Sequence, residues 1–230
     1  MPLVTNTLID TLPRAARNRL LSICESVDLV AGHIVSGSDA PTRHVYFPTG
    51  SILSLMTSNK DSPVLEIGMV GSEGMMGLQV VLAAGSVPLE GSVRGPGTAW
   101  RIATESFNRE LANSRALRQS LNRYLQVILL QLTTEARCVR FHQIDQRLAR
   151  WLLMTHDRTH ADSFGVTQAL IAHLMGVRRV GIAKAAGTFQ RRGMIKYVRG
   201  VLTIVDRTAL ESESCSCYDT ARKTYARFMS

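Results

Sequence analysis

Apolar and polar positions change their period three times along this chain. Between Asp28 and Ile102 the apolar residues come in short runs split by glycine, proline and serine: Leu29-Val30, Ile34-Val35, Val45-Tyr46-Phe47, Ile52-Leu53, Val64 to Val70, Val93 and Trp100-Arg101-Ile102. Short strands so closely spaced predict a β-sandwich or roll. Gly71 to Gly77 interrupts them, and Leu78 to Ala84 fits a short helix. Ahead of the strands, Leu8, Ile9, Leu12, Leu20, Leu21 and Ile23 form an amphipathic helical lead-in, with Pro13 suited to a first helical turn.

From Phe107 to Arg140 the period becomes helical. Leu121, Leu125, Ile128, Leu132, Glu135 and Val139 recur at alternating spacings of four and three, which is a heptad seam. The seam predicts a helix paired with a second copy; the other reading is a long core helix within a monomer. Val127, Leu129 and Leu130 lie off it and predict a second buried face toward the chain's own β-domain. Glu135 on the seam calls for a polar contact, because a buried lone carboxylate is costly. Phe141-His142-Gln143 reads as a hinge. A further helix follows, carrying Ile144, Leu148, Trp151, Leu152 and Thr155 on one side, and a loop runs from His156 to Gly165.

Thr167 to Ile204 is the most demanding pattern. Thr167 is placed to cap a helix bearing Leu170, Ile171, Leu174 and Met175. Gly176 supplies a bend, since glycine adopts the left-handed backbone without penalty. A second helix turns Ile182, Ala185 and Phe189 inward, and small Ala172 lets the two helices cross closely. Lys196 to Ile204 then alternates about Gly200, as a β-hairpin does. Together these predict a winged helix-turn-helix. The other reading is a plain helical hairpin with a solvated basic face.

Charge sharpens that expectation. The net charge is +9, with 13 Lys and Arg against 11 Asp and Glu in residues 1–140, and 14 against 7 in residues 141–230. The excess therefore lies with the helix-turn-helix, as contact with phosphates requires. Hydrophobic residues make up 45% of the chain, which fits a globular protein. No apolar run reaches the roughly 18–20 residues of a membrane span. The stretch Met1 to Asn6 lacks the marks of a signal peptide, so a cytoplasmic location without membrane contact is expected. Cys24, Cys138, Cys215 and Cys217 are then expected as thiols.

The order of roll, long helix, hinge helix and C-terminal winged helix-turn-helix resembles the Crp/Fnr superfamily of bacterial transcription regulators (the cyclic-AMP receptor protein and fumarate-nitrate regulator group). Val70-Gly71-Ser72-Glu73-Gly74-Met75-Met76-Gly77, Gln146 to Leu153 and Thr167 to Ile195 carry the likeness. It implies an α+β chain: an N-terminal cyclic-nucleotide-binding-like β-roll over residues 1–106, a dimerisation helix and hinge over 107–142, and a winged helix-turn-helix over 143–210. Residues 211–230 are left as a tail without a partner in the fold. It also implies a homodimer on a two-fold symmetric site in double-stranded DNA, with RNA polymerase as a further partner. Leu121, Leu125, Ile128, Leu132 and Val139 are the expected dimer contacts.

Departures from the family pattern shape the expected chemistry. Gly77 matches the ribose-site glycine, but Leu78 stands where a glutamate should follow. Leu89 and Glu90 occupy the phosphate stretch, where an arginine is usual. A cyclic phosphate would find no bidentate donor there, so a degenerate effector pocket and no cofactor are expected; only a shifted pocket near Arg94 would change this. In the second helix, Arg178, Arg179, Val180 and Lys184 are the base-reading candidates. Arg179 suits guanine, and Val180 replaces a glutamate that would accept from cytosine. Thr167, Gln168, Arg191, Arg192, Lys196 and Arg199 are the phosphate candidates. Gly181 and Gly187 either permit close approach to DNA or loosen the helix.

Other chemistries find less support. An iron–sulfur centre needs about four converging thiolates, whereas Cys24 and Cys138 stand isolated and Cys215 and Cys217 fall in the tail. That last pair suits metal binding or a response to oxidant, but a solvated tail is the stronger expectation. His33 or His44 as a haem ligand would be a lone histidine in a β-domain. A cupin-like metal enzyme would need His33 and His44 to gather with Glu66, Glu73 or Glu90. No Ser-His-Asp order stands out, so neither a catalytic nor a metal site is expected. A partner-binding adaptor on the same fold is the remaining alternative, prompted by Val180 and the helix glycines.

Overall fold

Strand β3 (His44–Pro48) shows why the N-terminal half folds as it does. Val45, Tyr46 and Phe47 are all buried, yet alternate residues of a strand face opposite ways. Val45 and Phe47 enter a core shared with helices, while Tyr46 enters the core between two sheets. The computed structural model that shows this describes residues 5–59 and 62–229, so most of the Met1 to Asn6 stretch lies outside the described residues.

Both sheets of the roll are antiparallel. One runs β1 (Glu25–Leu29), β7 (Gly97–Ala103), β3; the other runs β2 (Ile34–Ser36), β6 (Glu90–Gly95), β4 (Ile52–Asn59), β5 (Ser62–Val70). Helix α3 (Leu78–Val81) is shorter than expected. The lead-in is two helices, α1 (Thr7–Asp10) and α2 (Arg14–Ser22), with Pro13 as the second cap. Buried Asn6 anchors them: its amide donates to Pro48 O and Gly74 O at 2.9 Å, and its oxygen caps α1.

The helix expected from Phe107 to Arg140 is divided into α4 (Thr104–Asn113) and α5 (Arg115–Phe141). Ser114 causes the break. Its backbone is extended and its hydroxyl accepts from Leu117 N at 3.3 Å, a favourable N-cap. The seam on α5 also needs correction. Leu121 is fully buried beside Leu117, Tyr124 and Val127, facing the roll. Leu129 and Leu130, expected inside, are 62% and 39% exposed. The outward stripe is therefore rotated: Leu125, Leu129, Leu132, Ala136 and Val139 keep heptad spacing, with Ile128 half-buried at its edge. Glu135 does take a polar contact, an ion pair with Arg150.

Helix α6 (Ile144–Thr159) follows the hinge and opens with a capping box between Gln143 and Gln146. It packs with α7 (Gln168–Leu174), α8 (Arg179–Arg191) and a three-stranded sheet ordered β8 (Ser163–Gly165), β10 (Val201–Ile204), β9 (Ile195–Val198). Strand β8 lies within the loop that the sequence predicts from His156 to Gly165, its three residues being too few for a visible alternation. The core of this unit also takes in Met56 and Met69 of the roll. Across the same boundary Arg158 pairs with Glu73 at 2.8 Å, and Arg94 stacks 4.6 Å above the Trp151 ring.

The tail has a partner after all. Residues after Leu210 complete α9 (Arg207–Glu213) and form α10 (Cys217–Met229), which lies along α5. Tyr218, Ala221 and Met229 are buried, and the Tyr225 hydroxyl donates to Glu73 O at 2.9 Å. Its contacts lie up to 152 residues away in sequence, so no local pattern announces them.

Candidate nucleic-acid interface

Thr167 caps α7, its hydroxyl accepting from Leu170 N at 3.1 Å. Gly176 bends the chain at φ +63°, and a Cβ there would sit 3.0 Å from Leu65 of the roll. Val177 N donates to Ala172 O at 3.0 Å, which closes the turn. Ile182 and Phe189 are buried beneath it with Ala172. Helix α8 thus has one face committed to the core.

Its other face is open. Arg179, Val180, Ala183 and Lys184 are exposed on one side of α8, and Val180 is 72% exposed. Arg178 is the N-cap residue and is exposed as well. The structure therefore brings the four base-reading candidates together at the first two turns of one helix, where a helix entering a major groove presents its residues. Gly181 lies off this face. A Cβ on it would meet Ile144 Cδ1 at 2.9 Å, so the missing side chain leaves room for α6. Gly187 has only the Arg191 guanidinium nearby, at 3.5 Å.

The hairpin turns at Arg199 and Gly200, with φ of +49° and +82°. Two successive left-handed residues are what a two-residue hairpin of matching twist requires. Tyr197 holds this wing in place: its hydroxyl donates to Val166 O at 2.6 Å and its N–H to Gln190 Oε1 at 3.0 Å. Lys196 and Arg199 are left exposed beside α8. Thr167 is exposed and Gln168 half-buried at the start of α7. Arg191 bonds Thr188 at 3.1 Å, whereas Arg192 is paired with Glu213 at 2.7 Å, so its charge is already offset within the chain.

The effector-pocket candidates are less open. Gly77 has φ +105°, and a Cβ there would lie 2.8 Å from Val45 Cγ1. Leu78, Leu89 and Glu90 are half-buried. Between them the Gln79 amide reaches Ser36 at 3.2 Å and Thr42 at 2.6 Å. Arg94, considered for a shifted pocket, is half-buried at the domain boundary with its Nη2 enclosed, and it donates to Thr155 at 3.1 Å. Burial pulls its pKa down from the usual arginine range. A separate cavity of about 320 Å³ lies between α5, α6 and α10, lined by Gln131, Arg158, Tyr218, Arg222 and Tyr225.

His33 is exposed and His44 half-buried, while Glu66 and Glu73 are taken up in bonds with Trp151 and Arg158. One expectation was wrong: Cys138 is not isolated, and Cys215 and Cys217 are not solvated. All three are buried together beside His142.

The described residues form a β-roll joined by a long helix to a winged helix-turn-helix with an open basic face. Residues 146–213 match a family model described as the Crp-like helix-turn-helix domain. Over most of its length the chain shares its fold with solved structures that include a regulator ascribed to the Crp/Fnr family. A regulator ascribed to that family from Eubacterium rectale is 17% identical with a TM-score of 0.69, over 90% of this chain and 96% of that one. FixK2 from Bradyrhizobium japonicum is 13% identical with a TM-score of 0.71, over 84% and 98%. The regulator CLP of Xanthomonas campestris is 16% identical with a TM-score of 0.67, over 84% and 99%. Among curated proteins no sequence matches significantly. No described helix is long and apolar enough to cross a membrane.

Proposed function

We propose that this chain is a homodimeric, sequence-specific regulator of transcription that binds a two-fold symmetric site in double-stranded DNA. The observation that carries the proposal is the exposed face of α8, where Arg178, Arg179, Val180 and Lys184 stand free while Ile182 and Phe189 hold the helix from behind. Arg179 and Lys184 read base edges, with Val180 against a thymine methyl. Thr167, Gln168, Arg191, Lys196 and Arg199 contact phosphates. Arg192 contributes only if its pair with Glu213 opens.

The outward stripe of α5 supports a dimer along that helix, which sets two copies of α8 on one face. RNA polymerase is the partner through which such a protein acts. The Xanthomonas relative is described as responsive to c-di-GMP. Here Leu78 and Glu90 offer no donor pair for an anion, so we read the sensor domain as not using a cyclic nucleotide in the usual family manner.

The deciding experiment is selection of bound sequences from a random DNA pool with purified, ligand-free protein at near-physiological salt. A two-fold symmetric consensus is the expected result. Binding without enrichment, equal on all sequences, would overturn specific regulation and favour an adaptor on this fold.

A further inference from the structure

Three cysteines and one histidine from distant parts of the chain meet where α5 ends. Cys138 lies in the last turn of α5, and His142 follows it as the C-cap residue. Cys215 comes just before α10, and Cys217 is its first residue. Cys138 Sγ is 3.5 Å from Cys215 Sγ, and Cys217 Sγ is 3.6 Å from His142 Nδ1. All four ligand atoms lie within 4.8 Å of one another. The cysteines are buried and are free thiols.

We propose that Cys138, His142, Cys215 and Cys217 bind a single Zn²⁺ ion that fastens α10 to the hinge. Three lines of chemistry lead there. A tetrahedral zinc with bonds of about 2.3 Å to sulfur and about 2.0–2.1 Å to nitrogen spaces its ligand atoms about 3.5–3.8 Å apart, as the Cys138–Cys215 and Cys217–His142 pairs are. Thiolates and an imidazole are a soft and borderline donor set, which selects zinc over magnesium or calcium. Four protein ligands close the coordination sphere, the mark of a structural and not a catalytic zinc.

The surroundings fit the same ion. Three thiolates and Zn²⁺ leave a net charge of −1, and binding releases the thiol protons to solvent. The Arg150 guanidinium lies within electrostatic reach of all three sulfurs. It is buried, and its Nε has no hydrogen-bond partner among the described residues even though Nη1 is paired with Glu135. A buried cation with a spare donor beside three sulfurs matches the outer shell of an anionic metal centre.

The placement gives the ion a consequence. Its ligands span the end of α5, the hinge and the root of α10, so occupancy locks α10 along α5 and fixes the angle at which α6 leaves. The signal sensed is then the presence of the metal, or an oxidant that removes its thiolates.

The test uses the full chain purified under reducing conditions. Elemental analysis and a Co²⁺ titration of chelator-stripped protein should give one ion per chain. The cobalt form should show the ligand-field absorption of a tetrahedral site together with thiolate-to-cobalt charge transfer. Cys217→Ser and His142→Ala should each weaken binding at least about 100-fold in competition with a chromophoric chelator, and Cys24→Ser should leave it unchanged. Zinc should also slow proteolytic release of α10. No tight stoichiometric ion in the unaltered reduced chain overturns the proposal. So does a Cys138–Cys215 disulfide as the native form with no zinc bound after its reduction. Neither probe contains DNA, so failure here and failure of the DNA selection are separate results.

Discussion

The indole N–H of Trp151 donates to Glu66 Oε2 at 2.7 Å, across the boundary between α6 and the roll. Glu66 also accepts from Ser54, and Arg94 lies over the indole ring while bonding Thr155. Both domains thus grip one buried carboxylate. A buried acceptor that loses its donor costs about 1–3 kcal/mol. Trp151→Phe should therefore destabilise the chain in urea by about that amount. It should also loosen the roll from the DNA-binding unit, seen as faster proteolysis at the hinge. A double-mutant cycle with Glu66→Gln should give a coupling of about 0.5–3 kcal/mol. Additive effects would mean that the bond does not hold the two units together.

Arg179→Ala tests the open face of α8. Arg179 is exposed, so the substitution should leave folding untouched. If it reads a base, specific affinity falls by about 1–3 kcal/mol while binding to random DNA persists. Lys196→Ala should instead weaken all sequences alike and reduce the salt slope by about 1. Val180→Glu should move preference at one base pair of each half-site toward cytosine, whose amino group a carboxylate accepts from. A consensus unchanged by Val180→Glu would show that the start of α8 does not enter the groove.

The winged helix-turn-helix was legible in the sequence because its signals are local. Thr167 caps within three residues, Gly176 turns the chain where it stands, and Arg199-Gly200 closes a two-residue hairpin. The roll was legible from its alternation, and the hinge from the break at His142. The phase of the α5 seam was not. Val127, Ile128, Leu129 and Leu130 are consecutive apolar residues, so two heptad phases fit, and only packing against Phe107 and Val45 chooses between them. The sulfur cluster was hidden for a different reason. Cys138 and Cys215 are 77 residues apart, and a Cys-Ser-Cys in a polar tail carries no mark of burial.

The corrected seam makes its own prediction. Leu129 is 62% exposed within one chain, so Leu129→Arg should cost the monomer little. It should nonetheless convert a dimer to monomers by light scattering and weaken binding to a two-half-site operator. Leu121→Arg buries an unpaired charge in the roll core and should fail to fold. A Leu129→Arg protein that stays dimeric would place the dimer contact elsewhere.

Two glycines should respond to alanine in opposite ways. At Gly74 a Cβ would stand 1.9 Å from the Tyr124 hydroxyl, and Tyr124 is a fully buried ring. Neither can withdraw, so Gly74→Ala should cost about 1–3 kcal/mol or more through forced repacking. At Gly181 the obstacle is Ile144 Cδ1, the far end of a flexible side chain at the rim of the hinge. A small rotation of Ile144 relieves it, and alanine gains about 1 kcal/mol of helix propensity over glycine. Gly181→Ala should therefore be neutral to stabilising in thermal unfolding and keep DNA affinity, because it lies off the exposed face of α8. A large loss of DNA affinity in a well-folded Gly181→Ala protein would return this glycine to the DNA-facing side of α8.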